Sequence, residues 1–91
     1  TASTFKLVAE LKSLALGEKW DMGSGYVVTV NALDERATPK QVWITLARDG
    51  KGLDDKVLLE GDIYTYENKV SFSVSSISDE KLILKNVRIA S

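Results

Sequence analysis

The sequence predicts an all-β protein, an antiparallel β-sandwich of six to eight short strands, jelly-roll or immunoglobulin-like in size. Three observations predict it. Apolar residues alternate with polar ones, the period of a half-buried strand, instead of recurring at helical spacing. Turn chemistry returns about every ten residues. The chain is 91 residues long, enough for one core that buries roughly 60–65% of the unfolded surface and too little for two.

Residues 5–16 open the chain ambiguously. Leu7, Val8, Leu11, Leu14 and Ala15 make a helical stripe, whereas Phe5, Leu7, Ala9 and Leu11 alternate as a strand. Strand is favoured because everything downstream reads as β. After the turn signal Gly23-Ser24-Gly25 the chain reads YVVTVNAL, which places Tyr26, Val28, Val30 and Ala32 on one face. Residues 35–40, with the single proline Pro39, separate this run from QVWITLA. There Val42, Ile44 and Leu46 face inward and Gln41, Trp43 and Thr45 outward. Asp49-Gly50 is the best short hairpin signal in the chain, and Gly61-Asp62 is a second. KVSFSVSSI is the cleanest half-buried strand, with Val70, Phe72 and Val74 alternating against lysine and serines. Ser78-Asp79-Glu80 leads into KLILKNVRIA, where Leu82 and Leu84 lie on one parity and Val87 and Ile89 on the other. A bulge near Lys85 and Asn86 brings both pairs to one face. No internal repeat, linker or low-complexity tract is visible.

Composition narrows the function classes. With no histidine and no cysteine, the chain has no imidazole base, thiol nucleophile or conventional zinc, copper or haem site. Carboxylate, lysine, tyrosine and hydroxyl chemistry remain. Twelve basic residues against thirteen acidic ones give a formal net charge of −1, so no positive field favours nucleic acid. No run approaches the roughly 20 apolar residues of a membrane span. A chain of this length that starts at Thr1 reads as one module, residues 1–91, cut from a longer multi-domain protein.

No constellation in the sequence points to catalysis. Asp21, Asp34, Glu35, Glu60, Asp62 and Glu67 are scattered at turns and strand ends, and nothing sets two of them across a cleft as glycoside hydrolysis requires. Asp49, Asp54 and Asp55 bracket DGKGLDD, which offers hard oxygen ligands to calcium. It matches no EF-hand loop, however, and holds Lys51 and Lys56. A solvated hairpin tip is the simpler reading, and no cofactor is expected. Gly23-Ser24-Gly25 lacks the phosphate-loop pattern. Trp20, Tyr26, Trp43, Tyr64 and Tyr66 admit two roles, a stacking platform for sugars or packing. Trp43 and the Tyr64/Tyr66 pair are expected on the face opposite the aliphatic residues of their own strands. That favours an interface role for Trp20, Trp43, Tyr64 and Tyr66, or packing against the second sheet.

From Gly17 to Glu67 the order of short elements becomes specific. Gly17-Glu18-x-Trp20 leads through Gly23 into Gly25-Tyr26. A strand ending in Leu33-Asp34 follows, then Val42-Trp43-x-x-Leu46 and the turn Asp49-Gly50. Asp54-Asp55-Lys56-Val57 and Gly61-Asp62-x-Tyr64-x-Tyr66 complete it. This series resembles the repeated domain of the surface-layer (S-layer) proteins of methanogenic archaea. The resemblance covers a little over half the chain. It departs where residues 35–40 replace a short glycine turn and where the charge is nearly neutral, so an acidic pore lining is not carried over. It implies a secreted, non-enzymatic β-sandwich module of the archaeal envelope. Such tandem domains tile into a porous sheet that serves as cell wall and molecular sieve. The implied partners are neighbouring copies or sister domains, and no catalytic residue is transferred. The runner-up expectation is an extracellular carbohydrate-binding or adhesion domain that makes a glycan contact.

Overall fold

In the computed structural model, which describes residues 4–90, alternation becomes eight strands and no helix among the described residues. They are β1 (Phe5–Ala15), β2 (Lys19–Gly23), β3 (Tyr26–Asp34), β4 (Gln41–Arg48), β5 (Lys51–Leu59), β6 (Ile63–Tyr66), β7 (Val70–Ile77) and β8 (Lys81–Ala90). They form two four-stranded sheets, β1-β8-β7-β6 (sheet A) and β2-β3-β4-β5 (sheet B), with every pairing antiparallel. The chain is therefore the all-β, two-sheet sandwich its alternation predicts.

The core lies between the inner faces. Val28 and Val30 of β3, Val42, Ile44 and Leu46 of β4, Val70, Phe72 and Val74 of β7, and Leu82 and Leu84 of β8 are all buried. No polar or charged residue joins them among the described residues. Each fully buried side chain of this kind stabilises the fold by about 1.5–3 kcal/mol. Asn86, with φ 54°, sits where the pairing of β8 slips, and the slip returns Val87 and Ile89 to the core. The bulge expected near Lys85 and Asn86 is present.

Three readings of facing are corrected, two of them by bulges. The register of β1 slips between Leu7 and Ala9. The strand therefore presents Ala9 and Leu14 inward, while Phe5, Leu7 and Leu11 face out. The first segment is a strand, but not with its simple apolar parity buried. In β3 the slip between Val30 and Ala32 turns Ala32 outward and Leu33 toward the core. In β6 the parity is the reverse of the expected one, with Tyr64 buried and Ile63 exposed. Sequence alternation fails there because tyrosine and isoleucine are both strand formers, and four residues give too short a pattern.

Gly61-Asp62 is a corner between sheets, not a hairpin, and it has a twin. At Gly17-Glu18 the Leu16 N–H donates to the Glu80 carbonyl on the sheet A side. The next N–H, of Gly17, donates to Val30 of sheet B. At Gly61-Asp62 the Glu60 N–H donates to Lys40 on the sheet B side, and the Gly61 N–H to Val74 of sheet A. Both corners reverse through a main-chain bond of 3.0 Å, Glu18 N–H to Ala15 and Asp62 N–H to Leu59. In both, the acid turns back 2.9 Å to accept from the N–H three residues earlier, Ala15 for Glu18 and Leu59 for Asp62. The acid satisfies a backbone donor that leaves one ladder before it could join the other.

This correspondence holds a separation of 44 positions from β1 to the end of β3, Gly17 to Gly61 and Val30 to Val74, and one of 40 where Ile44 of β4 answers Leu84 of β8. It maps β1, β2, β3 and β4 onto β5, β6, β7 and β8, and it carries the order of sheet A onto that of sheet B. Even the slip after Val30 in β3 recurs after Val74 in β7. The fold is an internal duplication in which each half contributes three strands to one sheet and an edge strand to the other. The absence of a visible repeat is thereby corrected. Between residues 5–34 and 49–78 only Lys12/Lys56, Leu14/Leu58, Gly17/Gly61 and Val30/Val74 are identical. An inward strand position accepts any apolar residue of suitable size, so the duplication survives in hydrogen bonds and not in letters.

Candidate functional site

The outer faces of the two sheets are what the sandwich offers to other molecules. On sheet B, alternation in β4 puts Trp43 outward, 46% exposed, beside its cross-strand partner Val57, 55% exposed. Asp34, Gln41 and Ala32 flank them and make a shallow depression against the Trp43 ring. Next along the face, Asn31 donates through Nδ2 to the Thr45 hydroxyl at 2.7 Å, and Thr45 donates to Asp55. This polar ladder crosses β3, β4 and β5. On sheet A the exposed apolar residues are Phe5, Leu7 and Leu11 on β1, with Ile63 on the opposite edge strand. Leu7 and Leu11 sit directly across from Arg88 and Lys85 of β8.

The other sequence-selected aromatics lie elsewhere. Tyr64 is buried against Phe72, with ring centroids 4.9 Å apart and planes tilted by 32°. Its hydroxyl donates to Asp54 at 2.8 Å. Tyr66 is half-buried and packs on the core, as does Trp20, whose ring lies 5.1 Å from the Lys12 ammonium. Tyr26 is buried, with the Arg48 guanidinium 4.7 Å above its ring. A sugar platform built from these rings is not assembled, because only Trp43 stands open on an outer face.

The three aspartates are likewise separated. Asp49 sits in the β4–β5 turn with φ 52°, Asp54 points inward to Tyr64, and Asp55 points outward to Thr45. Adjacent strand residues face opposite sides, so Asp54 and Asp55 cannot share an ion from one face. Among the described residues no three acidic side chains gather where a metal could be held. No helix there is long and apolar enough to cross a membrane.

Burial, and then the hydrogen bond to Asp54, push the Tyr64 phenol well above its ordinary range. The folded state thus holds this proton more tightly than the unfolded chain, which releases it near pH ~10. The resulting stabilisation is complete below that pH and is lost as pH rises beyond it. Urea midpoints at pH 8 and 11 are expected to drop less in Tyr64→Phe than in the parent chain. At pH 8 the substitution is expected to cost about 1–2 kcal/mol, because Asp54 loses its donor. Equal drops in the two proteins would show that another group carries the alkaline limb.

The exposed apolar residues of β1, and Val57 and Ile63, were not selected by sequence reasoning. The signal that finds them is structural. β5 is the internal twin of β1, and it carries Asp55 where β1 carries Leu11. Two copies of one scaffold thus treat the same outward position in opposite ways.

A family model described as S-layer protein matches residues 8–88, from within β1 to within β8. No curated protein matches the chain.

Proposed function

Because the chain belongs to the S-layer protein family, a structural family of the cell surface whose members self-associate, we propose that it is one tile of an archaeal surface lattice. In that role it contributes to envelope assembly and to sieving of molecules that cross the sheet. Residues 1–91 are one module of a longer, secreted, tandem-domain protein, and its partners are neighbouring copies or sister modules.

The observation that carries this reading is the match from within β1 to within β8, which takes in both halves of the duplicated sandwich and not one motif. The fold supports it physically. A core without polar residues makes a rigid unit. Two outer faces, each with exposed apolar side chains, supply contact surface.

An antibody raised against this chain is expected to label intact source cells, and the parent protein purified from them to form ordered two-dimensional sheets under the electron microscope. Labelling that appears only after the cells are permeabilised would overturn the reading.

A further inference from the structure

We infer that the two outer faces are complementary halves of one contact: the sheet A face of one copy docks on the sheet B face of the next. The inference rests on the lattice reading for the identity of its occupant, a second copy of this chain.

The internal duplication supplies the first argument. Leu7 and Leu11 are 45% and 66% exposed on β1. The scaffold position of Leu11 holds Asp55 on β5, which also faces outward beside Thr45, so the fold itself accepts charge there. Apolar side chains at positions that need none mark a surface that becomes covered. Trp43 and Val57 make the corresponding exposed pair on sheet B. Large aromatic side chains of this kind are the usual anchors of protein contacts.

Charge supplies the second argument. The β1 leucines lie across from Lys85 and Arg88, whereas Trp43 and Val57 have Asp34 and Asp55 as neighbours on their face. An apolar stripe edged by cations therefore meets an apolar patch edged by carboxylates. Two sheet A faces, or two sheet B faces, would set like charges together. The pairing must be head to tail. The outer faces lie on opposite sides of the sandwich, so each head-to-tail contact leaves a free face at either end to which further copies can add. That is the geometry an extended array requires.

Sedimentation of the 91-residue chain tests the pairing. Its mean mass is expected to climb with concentration past the dimer and to fall with added salt as the edge charges are screened. The double variant Leu7→Lys, Leu11→Asp puts charge at two exposed positions, the second copying Asp55 of β5, and should fold unchanged. It is expected to lose about tenfold or more in association, as is Trp43→Thr. Each variant keeps one intact face, so an equimolar mixture is expected to form dimers and nothing larger. A Trp43→Thr chain that associates as tightly as the parent, a mixture without dimers, or a parent chain that stays monomeric would each overturn the pairing. None of these results touches surface labelling, which alone decides the lattice reading. Labelling failure beside a dimeric mixture would remove the lattice and leave the face pairing standing.

Discussion

Alanine in place of Phe72 is expected to destabilise the sandwich by about 3–5 kcal/mol, the largest effect of any single truncation considered. The ring is 1% exposed and is the largest of the fully buried side chains. On β7 it stands directly opposite Tyr64 of β6, with the centroids 4.9 Å apart. Removing it deletes buried area and leaves a cavity between sheets whose twisted frames cannot close on each other. It also takes away one wall of the Tyr64 site and so loosens the hydroxyl bonded to Asp54. A domain of this size has only about 5–15 kcal/mol of stability in all, so the variant should be close to unfolding. Urea titration would read the loss as a lower midpoint at unchanged slope. The exposed positions give the contrast. Ile63→Thr, at a residue 72% exposed, is expected to stay within about 0.5 kcal/mol of the parent. A Phe72→Ala cost below that of Ile63→Thr would mean that the core is centred elsewhere.

Much of the fold is legible in the sequence wherever one face is apolar and the other polar. β4 has an unbroken period-two pattern and β7 keeps one from Val70 to Val74, and their inward residues there are the ones alternation selects. The bulge in β8 is legible for the same reason, since a change of parity between Leu84 and Val87 makes sense only if a residue is looped out. β1 shows where the method stops. Its outward residues are leucines and a phenylalanine, so alternation of character vanishes and burial cannot be read from it. The candidate site falls in that blind spot. A face meant to be covered by another molecule looks apolar, and sequence reasoning assigns apolar residues to the core. Trp43 escaped the error because Val42 and Ile44 fix its parity from both sides. Tyr64 did not escape it, because Ile63 competes for the inward side and only the corner before it settles the direction. The turn signals mislead in a similar way. Asp49-Gly50 and Gly61-Asp62 look alike as dipeptides, yet the first closes a hairpin within sheet B and the second carries the chain between sheets. Hydrogen bonds to residues far along the chain decide between the two outcomes, and a dipeptide does not record them.

Valine at Gly17 and at Gly61 is expected to cost about 2–3 kcal/mol each, and the double substitution about the sum of the two. Both glycines have φ values that other residues rarely adopt, +82° and +95°. A β-branched side chain in that region is a steric outlier. Nothing lies within 4 Å of a Cβ built at either position, so the cost should come from the backbone alone. Its backbone origin makes the near-equality of the two costs a test of the duplication. If the corners are two copies of one device, each glycine holds one N–H on the carbonyl of a valine in the facing sheet, Val30 or Val74. A substitution that moves φ should then break the same set of bonds in both places. The two corners share no hydrogen-bond partner, which is why additivity is expected. Single costs that differ by more than about 1 kcal/mol would mean that the halves have diverged in energy despite matching geometry. Matched costs would show that the sandwich is fastened twice by one solution, a positive-φ glycine followed by an acid that caps the N–H three residues behind it.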